Sequence, residues 1–345
     1  MNRGHRRAGA AAALLIALSM SLSTGIAHAQ GSSDISISGS STVEPITSLI
    51  AEFYAEENPA VAVRVDGPGT GDGFKLFCEG ETDASDASRP IKDEEATACA
   101  ENGVEYTEFP VAIDGLSLVA NTASKLKCVD FPQIYGLFGP ESDGTFATAQ
   151  AIAAELGSTN KALPSKGSVK KFTPGPESGT YDSFIEIGYE SILEQRVEEG
   201  KVETVVDDSG ETVPKQVLNS DGQFPNDNDI VKRVEGSKDG IGFFGFAYYE
   251  ENQVDLADVA IVSPETGKCV KATRKTIQKG TYPLRRDLFV YANNTEVGAN
   301  KALKGFLDFY FTKANLTGSV ADSGYVPQPS ATIREAIATW KALKG

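Results

Sequence analysis

Three short runs of glycine and hydroxyl residues, each just ahead of a helical pattern, constrain this chain more than any other feature. They read Gly-Ser-Ser-Thr at 39–42, Gly-Pro-Gly-Thr-Gly-Asp-Gly at 67–73 and Glu-Ser-Gly-Thr at 177–180. The first two follow short apolar stretches, Ile35–Ile37 and Val61–Val65, and so read as strand-to-helix turns. Strand and helix patterns alternate along the chain, which points to α/β layers. At 345 residues it exceeds one comfortable core, so two domains are expected. A helix N-terminus carries unpaired N–H groups and a partial positive charge, which suits an oxyanion. Three such seats predict one anion held from several sides.

The rest of the pattern extends the alternation. Helices are expected over Val43–Glu57, stopped by Asn58-Pro59, over Phe74–Cys78, and from Asp93, read as a cap, to Gly103. Another opens at Asp130-Phe-Pro, with proline in the first turn where its missing N–H costs little. Further helices are expected over 146–156, Tyr181–Glu199, Thr295–Phe311 and Ile333–Leu343. Strands are expected at Val104–Phe109, Ile113–Ala120, Gly240–Phe246 and Leu288–Ala292. Lys201–Pro214 is charged and turn-rich, and reads as a solvated hairpin or loop. There is no internal repeat or low-complexity tract.

Residues 1–29 read as a cleavable export signal. Arg3, Arg6 and Arg7 precede an apolar run from Ala10 to Met20, and Ala27-His28-Ala29 stands before the cut, which makes Gln30 the first mature residue. The run is too short and too rich in Ala and Ser to span a bilayer. No cysteine follows the cut to carry a lipid, so a protein free in the periplasm, or released beyond it, is expected. Both histidines, His5 and His28, leave with the signal. Their loss excludes Ser-His-Asp catalysis and histidine-bound metal. No catalytic residue, metal or cofactor is therefore expected. The net charge of −16, more negative still without the three leader arginines, argues against nucleic acid or an anionic membrane as partner. An anion site in such a chain must act through short-range hydrogen bonds inside a cleft. Cys78, Cys99, Cys128 and Cys269 remain, an even count that suits disulfides in an exported protein. Of three connectivities that the sequence does not separate, a local Cys78–Cys99 clip with Cys128–Cys269 joining distant segments is the expected one.

With these motifs in order, the chain resembles the periplasmic phosphate-binding protein family of the phosphate-specific ABC uptake system. The resemblance is carried by Ile-Ser-Gly-Ser-Ser-Thr-Val-Glu-Pro at 37–45, Gly-Thr-Gly-Asp-Gly-Phe-Lys at 69–75, Asp-Ala-Ser-Asp-Ala-Ser-Arg-Pro at 83–90 and Ser-Gly-Thr-Tyr-Asp at 178–182. The stretches from Gly240 to Tyr249 and from Thr281 to Tyr291 support it. It implies an α/β, two-lobed binding-protein fold of the type II-like class, with mixed sheets flanked by helices. Residues 30–112 and 288–345 would form one lobe and 113–287 the other. Two chain crossovers, near Pro110–Asp114 and Arg285–Leu288, would let the lobes close on the ligand. The implied function is capture of inorganic phosphate and its delivery to a membrane ABC permease, by a monomer.

The same resemblance implies the ligand set. Ser41 would give its hydroxyl, Thr42 its backbone N–H, with its hydroxyl as a further candidate, and Thr70 the hydroxyl of the second loop. Ser178, Gly179 and Thr180 would close on the anion from the other lobe, glycine allowing close backbone approach. Each of these residues could also serve as an ordinary cap or turn residue. For the fourth wall, Ser88 and Arg89 are the expected contributors and Asp86 the alternative. Phosphate near neutrality keeps a proton and sulfate does not, so a carboxylate in the cleft would favour phosphate. Asp86 is the first candidate for that role and Asp182 the second. One departure stands out: some relatives carry an arginine four residues before this serine, where this chain has Pro174. Either Arg89 replaces it, or dipoles and amides neutralise the anion. Competing readings are a secreted phosphatase-like enzyme, a binder of another tetrahedral oxyanion such as sulfate or molybdate, and a scavenger without a transporter.

Overall fold

The computed structural model describes residues 34–207, 210–252 and 256–345, and the expected leader at 1–29 lies outside them. The first segment alternates β1 (Asp34–Gly39), α1 (Glu44–Glu57), β2 (Ala62–Asp66), α2 (Thr70–Cys78), β3 (Ala84–Ala87) and α3 (Asp93–Glu101), then enters the long strand β4 (Tyr106–Asn121). Next come β5 (Cys128–Val129), α4 (Phe131–Phe138), α5 (Phe146–Glu155), β6 (Lys170–Thr173), α6 (Gly179–Gly188) and α7 (Glu190–Glu198). The hairpin β7 (Thr204–Val206) and β8 (Thr212–Pro214) precedes β9 (Gly222–Gln223), α8 (Asp227–Glu235), β10 (Gly240–Gly245) and α9 (Phe246–Asn252). β11 (Leu256–Asp258), β12 (Ala260–Val262), β13 (Cys269–Val270) and α10 (Arg274–Gln278) lead to the returning strand β14 (Arg285–Asn293). The chain ends with α11 (Asn294–Ala299), α12 (Lys301–Tyr310), a π-helical turn at Asn315–Ser319, α13 (Val320–Asp322), β15 (Val326–Pro327) and α14 (Ser330–Leu343).

One mixed sheet runs β2-β1-β3-β14-β4-β10-β6-β9, with β11 and β15 also paired to β4. β1 is parallel to both β2 and β3, whereas β14 is antiparallel to β3 and β4. The near half of β4 pairs with β14 and its far half with β10. Two apolar cores divide along the same line. One gathers Ile35, Ile46, Phe109, Leu288, Phe306 and Trp340, and the other Leu118, Ile134, Phe138, Phe184, Phe243 and Ile261. In β14 the period of two is visible: Val290 and Ala292 face the first core, while Phe289 and Tyr291 face a smaller cluster with Phe74 and Phe77. Helices thus cover both faces of this part of the sheet. Cys78 is bonded to Cys99, joining α2 to α3, and Cys128 to Cys269, joining β5 to β13 across the small sheet β13-β12-β5.

Several expected boundaries move, each for a physical reason. The strands expected on either side of Pro110 are one continuous strand, sixteen residues long. Proline has no N–H to give, and β14 shifts register opposite it: Leu288 pairs with Ala112 but Phe289 with Pro110. α2 begins at Thr70, ahead of the expected Phe74, because the glycine run winds into the helix. Gly69 precedes it at φ 119°, and a Cβ on Gly73 would lie 2.3 Å from the Gly39 Cα. The cap of α3 is Lys92, whose N–H donates to the Glu95 carboxylate at 2.8 Å, so Asp93 is already helical. The helix expected over Tyr181–Glu199 breaks at Tyr189, whose buried ring lies edge-on to Tyr135 and Phe184. That over Thr295–Phe311 breaks at Asn300, which caps α12 by accepting from Ala302 and Leu303 N–H and donates to Asp83 at 3.3 Å.

Candidate anion-binding cleft

The turn into α1 is closed locally by Ser40. Its carbonyl accepts from the Val43 and Glu44 N–H groups, and its hydroxyl accepts from Thr42 N–H at 3.1 Å. Ser41 and Thr42 are thereby raised at the helix end. In α6, Ser178 is the cap: its hydroxyl oxygen accepts from Thr180 N–H at 3.2 Å, which leaves the hydroxyl proton to donate outward. The two helix ends abut. A Cβ on Gly179 would stand 3.2 Å from both the Ser41 carbonyl oxygen and the Thr42 Cα. Ser41 donates to Asp182 at 3.0 Å, and the Thr42 and Ser183 hydroxyls share a hydrogen bond at 3.2 Å. The first and third runs, 137 residues apart in sequence counted from Ser41 to Ser178, therefore meet in one contact surface.

The second run lies beside them. The Thr70 and Ser88 hydroxyls share a bond at 2.9 Å, and Thr70 also accepts from Ser88 N–H at 3.1 Å. Both line a cavity of about 740 Å³ together with Arg89, Glu190 and Arg286. A neighbouring cavity of about 560 Å³ is lined by Ser41, Glu44, Gly179 and Asp182, and Gly69 and Glu186 border both. Arg89 reaches the wall but is already engaged: it donates to both Glu95 oxygens at 2.8 and 2.7 Å and lies over the Phe74 ring.

Asp86 lies apart from both cavity walls. Its carboxylate is buried against α1, where one oxygen accepts from Thr47 at 3.0 Å and the other has no partner. Burial pushes this carboxyl up to about 7, the Thr47 hydrogen bond opposing and Glu44 adding. Burial likewise raises Asp182, with the Ser41 bond opposing and Glu186 adding.

Arg286 escaped the sequence reading. It lies on β14 directly opposite Asp114 of β4, where the strands cross between the two cores. Its Nη2 donates to the Thr42 hydroxyl at 3.0 Å and the Ser183 hydroxyl at 2.7 Å, and its Nη1 is bonded to Glu186. Nε stands 3.6 Å from a buried Asp114 oxygen. The available signal was a pair of arginines at an expected crossover of a strongly acidic chain. Among the described residues no cluster of three or more acidic or cysteine side chains is placed to hold a metal, and no helix is long and apolar enough to cross a membrane.

Residues 24–314 match a sequence family described as a PBP superfamily domain. The chain is 33% identical over 312 residues to protein SphX of Synechococcus elongatus, covering 90% of this chain and 82% of that protein. It is also 33% identical over 298 residues to the phosphate-binding protein PstS of Staphylococcus haemolyticus, covering 86% and 82%. Among solved structures, a possible phosphate binding protein from Planctomyces limnophilus superposes with a TM-score of 0.74 at 28% identity, over 90% of this chain and 99% of that one. An ABC-type phosphate transport receptor from Vibrio cholerae shares the two-lobed fold at a TM-score of 0.59 and 22% identity, over 85% and 99%.

Proposed function

Since the chain belongs to the phosphate-binding proteins of the PBP superfamily, we propose that it captures inorganic phosphate in the cleft between its lobes and delivers it to an ABC phosphate permease. The observation that carries the reading is the abutment of α1 and α6, whose N-termini meet at Gly179, Ser41 and Thr42. Ser41, Thr42, Thr70, Ser88, Ser178, Gly179 and Thr180 would supply the donors, with Arg89 on the outer wall. The lobes are 30–112 plus 288–345 and 113–287, a division supported by the two apolar cores. Export by residues 1–29 would place the protein in the periplasm, where its permease partner is reached.

Charge-assisted hydrogen bonds contribute roughly 1.5–3 kcal/mol each, and micromolar affinity needs about 8 kcal/mol. Eight donors would exceed that, so desolvation and closure must offset much of the gross energy. High affinity follows without a metal. Asp182, which accepts from Ser41, would in its ionised form take the phosphate proton and disfavour sulfate. Capture rather than catalysis is supported by the absence of histidine after His28, since an enzyme would need a serine or threonine nucleophile activated by lysine or a metal.

Calorimetry with phosphate, arsenate and sulfate, on protein stripped of carried-over anion by partial unfolding, tests the reading. Phosphate is expected to bind far more tightly than sulfate. Failure to bind phosphate, or a preference for sulfate, overturns it. Turnover of a chromogenic phosphate ester that follows the protein through purification would favour the enzyme.

A further inference from the structure

We propose that Arg286 is the cation that receives the anion, and that the Glu186 carboxylate on its Nη1 is the group the anion displaces. This rests on the phosphate reading above and sharpens it. The hydroxyls and helix amides of the cleft are neutral. A formal positive charge must come from elsewhere. Two arginines line the larger cavity. Arg89 is neutralised in a two-point contact with Glu95 and stacked on Phe74, so an anion would have to break a complete fork.

Arg286 is arranged differently. Nη2 is committed to two neutral hydroxyls, Thr42 at the start of α1 and Ser183 in α6, and so already stands where both helix ends meet. Asp114, buried on the opposing strand, stays behind it as a fixed countercharge. The remaining edge, Nη1, is held by Glu186, whose side chain is 39% exposed and borders both cavities. Carboxylate and phosphate offer a guanidinium equivalent acceptor oxygens. Exchange of one for the other leaves every other contact of Arg286 in place and returns Glu186 to solvent. Because Arg286 sits on the crossing strand and touches residues of both lobes, the exchange also ties anion binding to closure.

The test is calorimetry with inorganic phosphate on the full exported chain, stripped of anion, for the wild type, Arg286→Lys, Arg286→Gln and Glu186→Gln. Arg286→Gln is expected to raise Kd about tenfold or more, the loss of one charge-assisted bond, with Arg286→Lys between it and the wild type. Glu186→Gln separates the proposal from a bracing role by the sign of its effect. A displaced competitor predicts a lower Kd, whereas a brace for Arg286 predicts a higher one. Where Arg286→Gln fails to fold because Asp114 is left unpaired, Asp114→Asn combined with Arg286→Gln replaces it. Affinity within about twofold of wild type in the arginine variants, or unchanged or weaker binding in Glu186→Gln, overturns the proposal. Wild type that binds no phosphate would instead overturn the functional reading on which it rests.

Discussion

At Ser178 the hydroxyl oxygen accepts the Thr180 N–H and keeps its own proton, which on the proposed reading it donates to the anion. Ser178→Ala together with Thr180→Ala is expected to weaken phosphate binding by at least about 2 kcal/mol, the loss of two hydrogen bonds. Unchanged calorimetric affinity would remove both from the site. Asp86 makes a different prediction. Its folded carboxyl holds a proton up to about pH 7, whereas an unfolded aspartate releases its proton near about 3.9. Between those values the folded state binds more protons, so stability is highest at the acid end and falls as pH rises. Without phosphate, Asp86→Asn should gain stability over wild type by about 1.4 kcal/mol per pH unit through that window, read by urea unfolding at pH 5 and pH 7. A constant difference at the two pH values would refute the assignment. The hydroxyl–glycine runs were readable in sequence because their composition is the chemistry. Arg286 was not, because a cation's destination depends on which strand is laid opposite it.

Among elements, the contact between α1 and α6 is set by a missing side chain. Gly179→Ala would add a carbon 3.2 Å from the Ser41 carbonyl and the Thr42 Cα. The prediction is a weaker phosphate complex, with unfolding midpoints in the absence of phosphate near those of wild type, since the strain falls between helix ends rather than in a core. Calorimetry with thermal melts checks it, and equal loss in both would mean the contact is structural. Helix limits were less legible than helix existence. Tyr189 and Asn300 break helices whose apolar spacing continues across them, one through an aromatic cluster and the other through a cap tied to Asp83. Pro110 looked like a strand break because the compensating bulge, in which Val111 is the extra residue of β4, shows only when β14 is laid alongside.

For the whole molecule, each disulfide is local: Cys78–Cys99 joins α2 to α3 and Cys128–Cys269 joins β5 to β13, so on the proposed division of the lobes neither crosses the cleft and covalent stapling and closure are separate matters. Cys128→Ser with Cys269→Ser is expected to cost roughly 2–5 kcal/mol of stability and leave phosphate affinity within about threefold. A large loss of affinity at temperatures where the variant is folded would show that the second bond shapes the site. The alternation of strand and helix made the layered class legible, but not that one sheet would run through both lobes. The sheet order β2-β1-β3-β14-β4 has a further consequence. β14 is synthesised after the whole second lobe, yet it fills the gap between β3 and β4. During translation the N-terminal portion therefore waits as an unfinished sheet with two unpaired edges, while the inserted lobe can complete its own core. The second lobe, though made later, thus has its strands before the first lobe receives its last, and until β14 arrives those two edges are open to pairing with other chains.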